Sequence, residues 1–145
     1  MGNFNQVNGH LARVVGSANK VAGNSNSVVG DLNNAFGNAN SLLGSKNNAQ
    51  GTFNDIVGNT NAAIGNANTV FGNQNAVIQD NNAVIGSRNT VLGNSNSLTG
   101  NGDLVRGNNN VLTDSISLNC LVWWFISLIW KSYLELIAII KFHFS

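Results

Sequence analysis

Residues 51–72 read GTFNDIV-GNTNAAI-GNANTVF-G, and this stretch contains the seven-residue unit that decides the fold. Each unit begins with Gly, carries Asn in its fourth place and has a small or aliphatic residue in its sixth place. Outward from this stretch, the unit recurs sixteen times between Gly2 and Thr113. The departures in the first and fourth places are Gln79, Ala12 and Asp103. A fixed short period of this kind indicates a repeat architecture.

A coiled coil and a disordered tract are two simpler explanations of this period, and the residue types disfavour both. A coiled coil needs helix-forming residues, whereas a Gly in a helix costs about 1 kcal/mol relative to Ala. Disorder is common in Asn- and Gly-rich tracts, but a disordered chain has no reason to keep an aliphatic residue at every sixth place. We therefore predict an all-β domain, a parallel β-solenoid, over residues 2–113.

The places within the unit predict which side chains point inward. The fifth to seventh places form a short strand, so the sixth-place residue points inward and its two neighbours point outward. Gly at the corner allows a positive φ or a close backbone approach. The fourth-place Asn side chains can then stack from turn to turn, each amide donating to the next. This predicted asparagine ladder comprises Asn19, Asn26, Asn33, Asn40, Asn47, Asn54, Asn61, Asn68, Asn75, Asn82, Asn89, Asn96 and Asn110.

One heptad is too short to close a turn of the solenoid. Two heptads per turn, which give a flattened two-sided β-roll, are the smallest solution, and three heptads in a triangular coil are the alternative. With two, the odd-numbered and even-numbered heptads form opposite faces. The even heptads are the more uniformly apolar and β-forming in their seventh place.

The unit in residues 23–30 (GNSNSVVG) and 86–93 (GSRNTVLG) has the form x-x-N-x-V-x-G. It resembles the repeats of the grass ice-binding, ice-recrystallisation-inhibition proteins, and the resemblance covers residues 2–113. It implies a left-handed two-faced β-roll with an internal asparagine ladder, whose flat face of Thr, Ser and Val contacts ice. A weaker likeness is to the head repeats of bacterial trimeric adhesins.

Carried over to this chain, the resemblance implies a binding face on the outward fifth and seventh places of the even heptads. The residues of this face are Ser27, Val29, Ser41, Leu43, Val57, Thr69, Ile85, Ser97, Thr99, Val111 and Thr113. Arg13, Asp55 and Phe71 interrupt it with charge and bulk. Ice is therefore one expected partner. A self-associating structural or adhesive module is the alternative, because a long exposed apolar stripe favours a partner.

Residues 114–145 differ abruptly in composition and form a separate apolar tail. The run Ile116–Trp130 reads ISLNCLVWWFISLIW, shorter than the ~20 residues that span a membrane. Three interpretations stay open: a C-terminal membrane anchor, a helix that caps the end of the roll, and translation of sequence that is not coding. We expect the tail to be helical, with membrane contact if it is genuine.

Composition and motifs favour a protein without catalysis. The chain of 145 residues has a formal net charge of +1 and one Cys, which disfavour nucleic-acid binding and a disulfide framework. His10 is expected to face solvent, and no catalytic set, calcium-binding Asp column or phosphate loop is visible. We expect no enzyme activity, cofactor, metal or small-molecule substrate. No signal peptide follows Met1, so an extracellular location requires an incomplete N-terminus.

Overall fold

The computed structural model describes residues 2–113, and Met1 and residues 114–145 lie outside the described part. The described residues form sixteen short strands in a parallel β-solenoid of eight turns, with two heptads in each turn. The expected solenoid is therefore confirmed, and the triangular coil is wrong. The helical tail and its three interpretations fall on residues outside the described part.

The odd-numbered strands form one eight-stranded sheet, here called the odd sheet. Its strands are β1 (Gln6–Asn8), β3 (Lys20–Ala22), β5 (Asn34–Phe36), β7 (Asn48–Gln50), β9 (Ala62–Ile64), β11 (Ala76–Ile78), β13 (Thr90–Leu92) and β15 (Leu104–Arg106).

The even-numbered strands form the opposite eight-stranded sheet, here called the even sheet. Its strands are β2 (Arg13–Val15), β4 (Ser27–Val29), β6 (Ser41–Leu43), β8 (Asp55–Asn59), β10 (Thr69–Asn73), β12 (Ala83–Ser87), β14 (Ser97–Asn101) and β16 (Val111–Thr113).

Neighbouring strands of each sheet pair in register fourteen residues apart, so like places lie above like places. Val70 of β10, for example, pairs with Ile56 below and with Val84 above. A shift of one residue would turn the whole apolar column outward. The aliphatic sixth place therefore sets the register of the roll.

The core consists of the two columns of sixth-place side chains, one from each sheet. Thirteen of them are buried, and those at the two ends of the described part, including Val7 and Leu112, are more exposed. Each fully buried Val or Ile contributes about 1.5–3 kcal/mol relative to an exposed one. The buried members are Val21, Val28, Ala35, Leu42, Ala49, Ile56, Ala63, Val70, Val77, Val84, Val91, Leu98 and Val105.

The corners need Gly for both of the expected reasons. Gly58 has a φ of 130°, and a Cβ built on it would lie only 1.8 Å from the carbonyl oxygen of Gly72. The third place, two residues later, is also left-handed, which the sequence analysis missed. Thr60, for example, has a φ of 60°, and its N–H donates to the carbonyl of Ser45 in the turn below.

Candidate functional site

The fourth-place asparagines form the internal ladder that the sequence predicts. Asn54 donates from its backbone N–H and from Nδ2 to Oδ1 of Asn40, at 3.0 Å in each case. Its Nδ2 also donates to the carbonyl of Gly65 at 2.8 Å. Its own Oδ1 accepts from the backbone N–H and Nδ2 of Asn68. Both side-chain donors and both acceptor sites of this buried amide are therefore used.

Two such ladders run through the roll, one beside each sheet, and each has a single substitution near one end. Asp103 replaces Asn at the C-terminal end of the ladder beside the odd sheet, and Ala12 replaces it at the N-terminal end of the other. The backbone N–H of Asp103 still donates to Oδ1 of Asn89 at 2.9 Å. Its carboxylate Oδ2 is buried and has no hydrogen-bond partner among the described residues. Between these ends each Asn donates from Nδ2 to a Gly or Gln79 carbonyl, although Asn33, Asn47 and Asn89 lack the second Nδ2 bond to the Asn below.

A second ladder runs along the outside of the corners, and sequence reasoning did not find it. The second-place side chain accepts a hydrogen bond from the backbone N–H of the second-place residue in the turn below. Asn38 accepts from Asn24 in this way at 2.8 Å, and Asn24 accepts from His10 at 3.0 Å. His10 itself is exposed, as expected. The recurrence of Asn, Ser and Asp at this place was the available signal.

The outer face of the even sheet brings together all the residues of the predicted binding face. They stand in two straight columns, the fifth-place and the seventh-place column, and none of their side chains is fully buried. Along each column the turns lie about 4.8 Å apart, and the two columns of one strand are about 6.6 Å apart. We call this two-column array the even face. It consists of the fifth- and seventh-place residues of the eight strands of the even sheet.

The even face combines hydroxyl and apolar groups with little charge. Five of its eight strands carry Ser or Thr, in pairs such as Ser27 with Val29. Arg13 and Asp55 are its two charged residues. Phe71 is 39% exposed in the middle of the seventh-place column. The predicted interruptions therefore lie on the face itself.

The outer face of the odd sheet is divided into unlike parts. Amide side chains dominate strands β1 to β7, and apolar residues such as Ile64 and Ile78, each 40% exposed, dominate β9 to β13. Lys20 and Arg106 add charge near the two ends. The outer face of the odd sheet is therefore less uniform along the solenoid than the even face.

Within residues 2–113 the side chains form no cluster of three or more His, Cys, Asp or Glu able to hold a metal ion. In the same stretch the structure has no helix long and apolar enough to cross a membrane. Comparisons of the chain with family models, with curated proteins and with solved structures find no match.

Proposed function

We propose that the chain binds ice through the even face and thereby inhibits ice recrystallisation. The observation that carries this proposal is the pair of straight outward columns, in which five of the eight strands carry a hydroxyl group and methyl groups occupy most of the other places. A crystal of ice is itself a periodic surface. A ligand of that kind is matched by a repeated grid of groups and not by a pocket.

The composition of the even face suits contact with ordered water. Methyl groups such as those of Val29 and Val57 hold water weakly, while hydroxyl groups such as those of Ser41 and Thr69 can donate and accept hydrogen bonds. Charged groups hold their own hydration shell and are expensive to desolvate. With Arg13 outside the central strands, Asp55 is the one charge within them.

Rigidity of the even face supports the same proposal. Behind it, each fourth-place amide is fixed by its neighbours, as Asn40 and Asn54 are. Outside the corners, the second ladder fixes the backbone again. A surface that is already ordered loses little conformational entropy when it binds. The two kinds of ladder therefore hold the side chains of the even face at a fixed spacing before they meet the ice lattice.

The experiment compares one bulky substitution on each sheet. Thr69 on the even face and Thr90 on the odd sheet are both half-buried fifth-place threonines. We expect the native chain to slow the coarsening of ice grains in a dilute annealed sample, Thr69→Tyr to lose this effect and Thr90→Tyr to keep it. Coarsening equal to that in buffer, or equal loss in both variants, would contradict the proposal.

Self-association as a structural or adhesive module is the second candidate. It is favoured by the seventh-place column of the even face, where Leu43 is 50% and Ile85 is 52% exposed. Such a stripe on a soluble monomer favours a second surface to cover it. Sedimentation over a range of concentrations tests this candidate. A monomer at the highest concentration would count against it and leave the even face free for ice.

A further inference from the structure

The N-terminal half of the odd sheet presents a polar surface that the ice proposal does not use. Its outward residues on β1 to β7 are mostly amides around one exposed aromatic ring. We call this surface the amide patch; its principal residues are Gln6, Asn8, Asn34, Phe36, Asn48 and Gln50. On β9 and β11 the same columns carry Ala and Ile, and β13 and β15 carry Thr, Leu and Arg. The change in chemistry along one regular sheet marks the patch as a separate surface.

A depression lies at the lower end of the amide patch. Ala22 pairs in register with Phe36, and its short side chain leaves a gap beneath the aromatic ring. The depression is lined by Phe36, Lys20 and the amides of Gln6 and Asn8, with core valines behind them. Phe36 is 42% exposed. An apolar ring thus lies beside polar groups at the edge of a concave surface, the usual composition of a ligand site.

Two amides of the patch have unused hydrogen-bonding capacity. Asn34 and Asn48 pair in register on β5 and β7, and their Oδ1 atoms are buried with no hydrogen-bond partner within residues 2–113. A buried acceptor left unpaired costs about 1–3 kcal/mol. Rotation of the side-chain amide exchanges its donor and acceptor ends. The end of each amide that lies in the buried position is out of reach of a ligand, and only the end that faces solvent can bond a ligand hydroxyl. The solvent-facing ends of Asn34 and Asn48 are therefore the groups that a ligand would use.

We propose that the amide patch binds a neutral, extended polysaccharide of the β-1,4-linked class, lying along the axis of the solenoid. The faces of such a chain are lined with C–H groups, which fit the ring of Phe36. Its equatorial hydroxyls point sideways, toward the fifth-place amides of Asn34 and Asn48. The strand spacing of about 4.8 Å is close to the length of one sugar residue in an extended chain. Successive sugars would therefore meet successive strands.

The charge of the patch favours a neutral ligand. Lys20 is its one cation, and the outward places of β1 to β7 contain no carboxylate. Nucleic acids require clustered cations to displace counterions, which these strands lack. A peptide that extends a sheet needs an open strand edge, whereas the amide patch lies on the face of a sheet. An uncharged, hydroxyl-rich polymer is the class of ligand that would contact both the amides and the aromatic ring of the amide patch.

The test titrates the full chain with cellohexaose and follows binding by calorimetry, with the α-1,4-linked maltohexaose as a ligand control. We expect Phe36→Ala to weaken cellohexaose binding about tenfold, equivalent to roughly 1.4 kcal/mol. Phe71→Ala removes an equally exposed aromatic from the other sheet and should leave binding unchanged. If Phe36→Ala proves poorly folded, Phe36→Leu replaces it in the test. This variant keeps apolar bulk without the aromatic ring, and we expect it to weaken binding as well.

The proposal would be overturned by no binding of cellohexaose, by an equal loss in the Phe36 and Phe71 variants, or by equal binding of maltohexaose. Preference for a polygalacturonate oligomer, abolished by Lys20→Gln, would also overturn it, since the site would then be anionic. The ice proposal rests on the opposite sheet. The grain-coarsening assay on Phe36→Ala, expected to be unaffected, therefore keeps the two proposals separate.

Discussion

The fourth-place asparagine is a residue that becomes favourable because it is repeated. A single buried amide has two donors and an oxygen that accepts twice, and each unpaired group costs about 1–3 kcal/mol. In the roll, Asn54 finds its partners in Asn40 and Asn68, copies of itself one turn away. The carbonyl of a corner Gly takes the remaining donor. Because the turns are alike, each buried Asn amide finds the hydrogen-bond partners that it would lack in a core without repeats.

Replacing Asn61 by Leu tests this account. The change removes the donors to the carbonyl of Gly72 and to Oδ1 of Asn47, and it also removes the acceptor for the backbone N–H of Asn75. We expect the free energy of unfolding to fall by about 3 kcal/mol or more, because each orphaned group costs about 1–3 kcal/mol. Denaturant unfolding measures the loss. Gln74→Ala, at an exposed neighbouring place, is the control, and an unchanged midpoint for Asn61→Leu would refute the inward ladder.

Gln79 is the residue that interrupts the Gly column, and its backbone is strained there. Its φ is 85°, in the left-handed region, and Gly93 in the next turn donates to Ile78 at a slightly long 3.1 Å. Gln79→Gly should relieve about 1–2 kcal/mol of strain while losing about 0.4–1 kcal/mol to chain entropy. We expect a small net stabilisation, read from the thermal midpoint. Gly72→Gln, whose Cβ would lie 1.7 Å from the carbonyl of Gly86, should destabilise strongly. Equal effects of the two changes would contradict this reading.

At the scale of the strand and its ladder, the ends differ from the middle. Asp103 closes the ladder beside the odd sheet within the described residues, and its buried Oδ2 has no partner there. Asp103→Asn restores the Nδ2 donor, which can bond Oδ1 of Asn89 as Asn61 and Asn75 bond the Asn below them. We expect a gain of about 1–3 kcal/mol in the free energy of unfolding. Asp55→Asn, on the outer face, should change it little. A loss of stability in Asp103→Asn would show that the carboxylate has a partner of its own.

The sequence predicted those features that recur as the same residue type at the same place of every heptad. The sixth-place core and the fourth-place ladder were readable because the same residue types recur at the same place. The left-handed third place was not, since residues as different as Leu32, Lys46 and Phe53 occupy it. Its conformation is imposed by the corner, through a backbone hydrogen bond to the turn below. The second-place ladder was missed although Asn, Ser and Asp recur there, because its hydrogen bond joins a side chain to a backbone N–H, as Asn24 is bonded by His10.

At the scale of the whole molecule, the roll is a one-dimensional stack. Each strand pairs only with the strands fourteen residues before and after it, so stability is a sum of terms between adjacent turns. The central core side chains are fully buried, whereas Val7 in the first turn is 48% exposed. Within residues 2–113 the first turn has one neighbour where an inner turn has two. Its opening therefore breaks one interface instead of two.

Hydrogen exchange on the chain measures this gradient directly. We expect the amides of β7 to β12 to exchange most slowly and those of β1 and β2 to exchange fastest, because local opening begins where fewest contacts are lost. The Asn61→Leu variant should lower protection in the turns on either side of the substitution before it lowers protection at the ends. Uniform protection from β1 to β12 would mean that the interfaces are so strong that the roll opens only as one unit. In that case the even face would hold its spacing by global cooperativity, and a single ladder substitution would loosen every column on it at once.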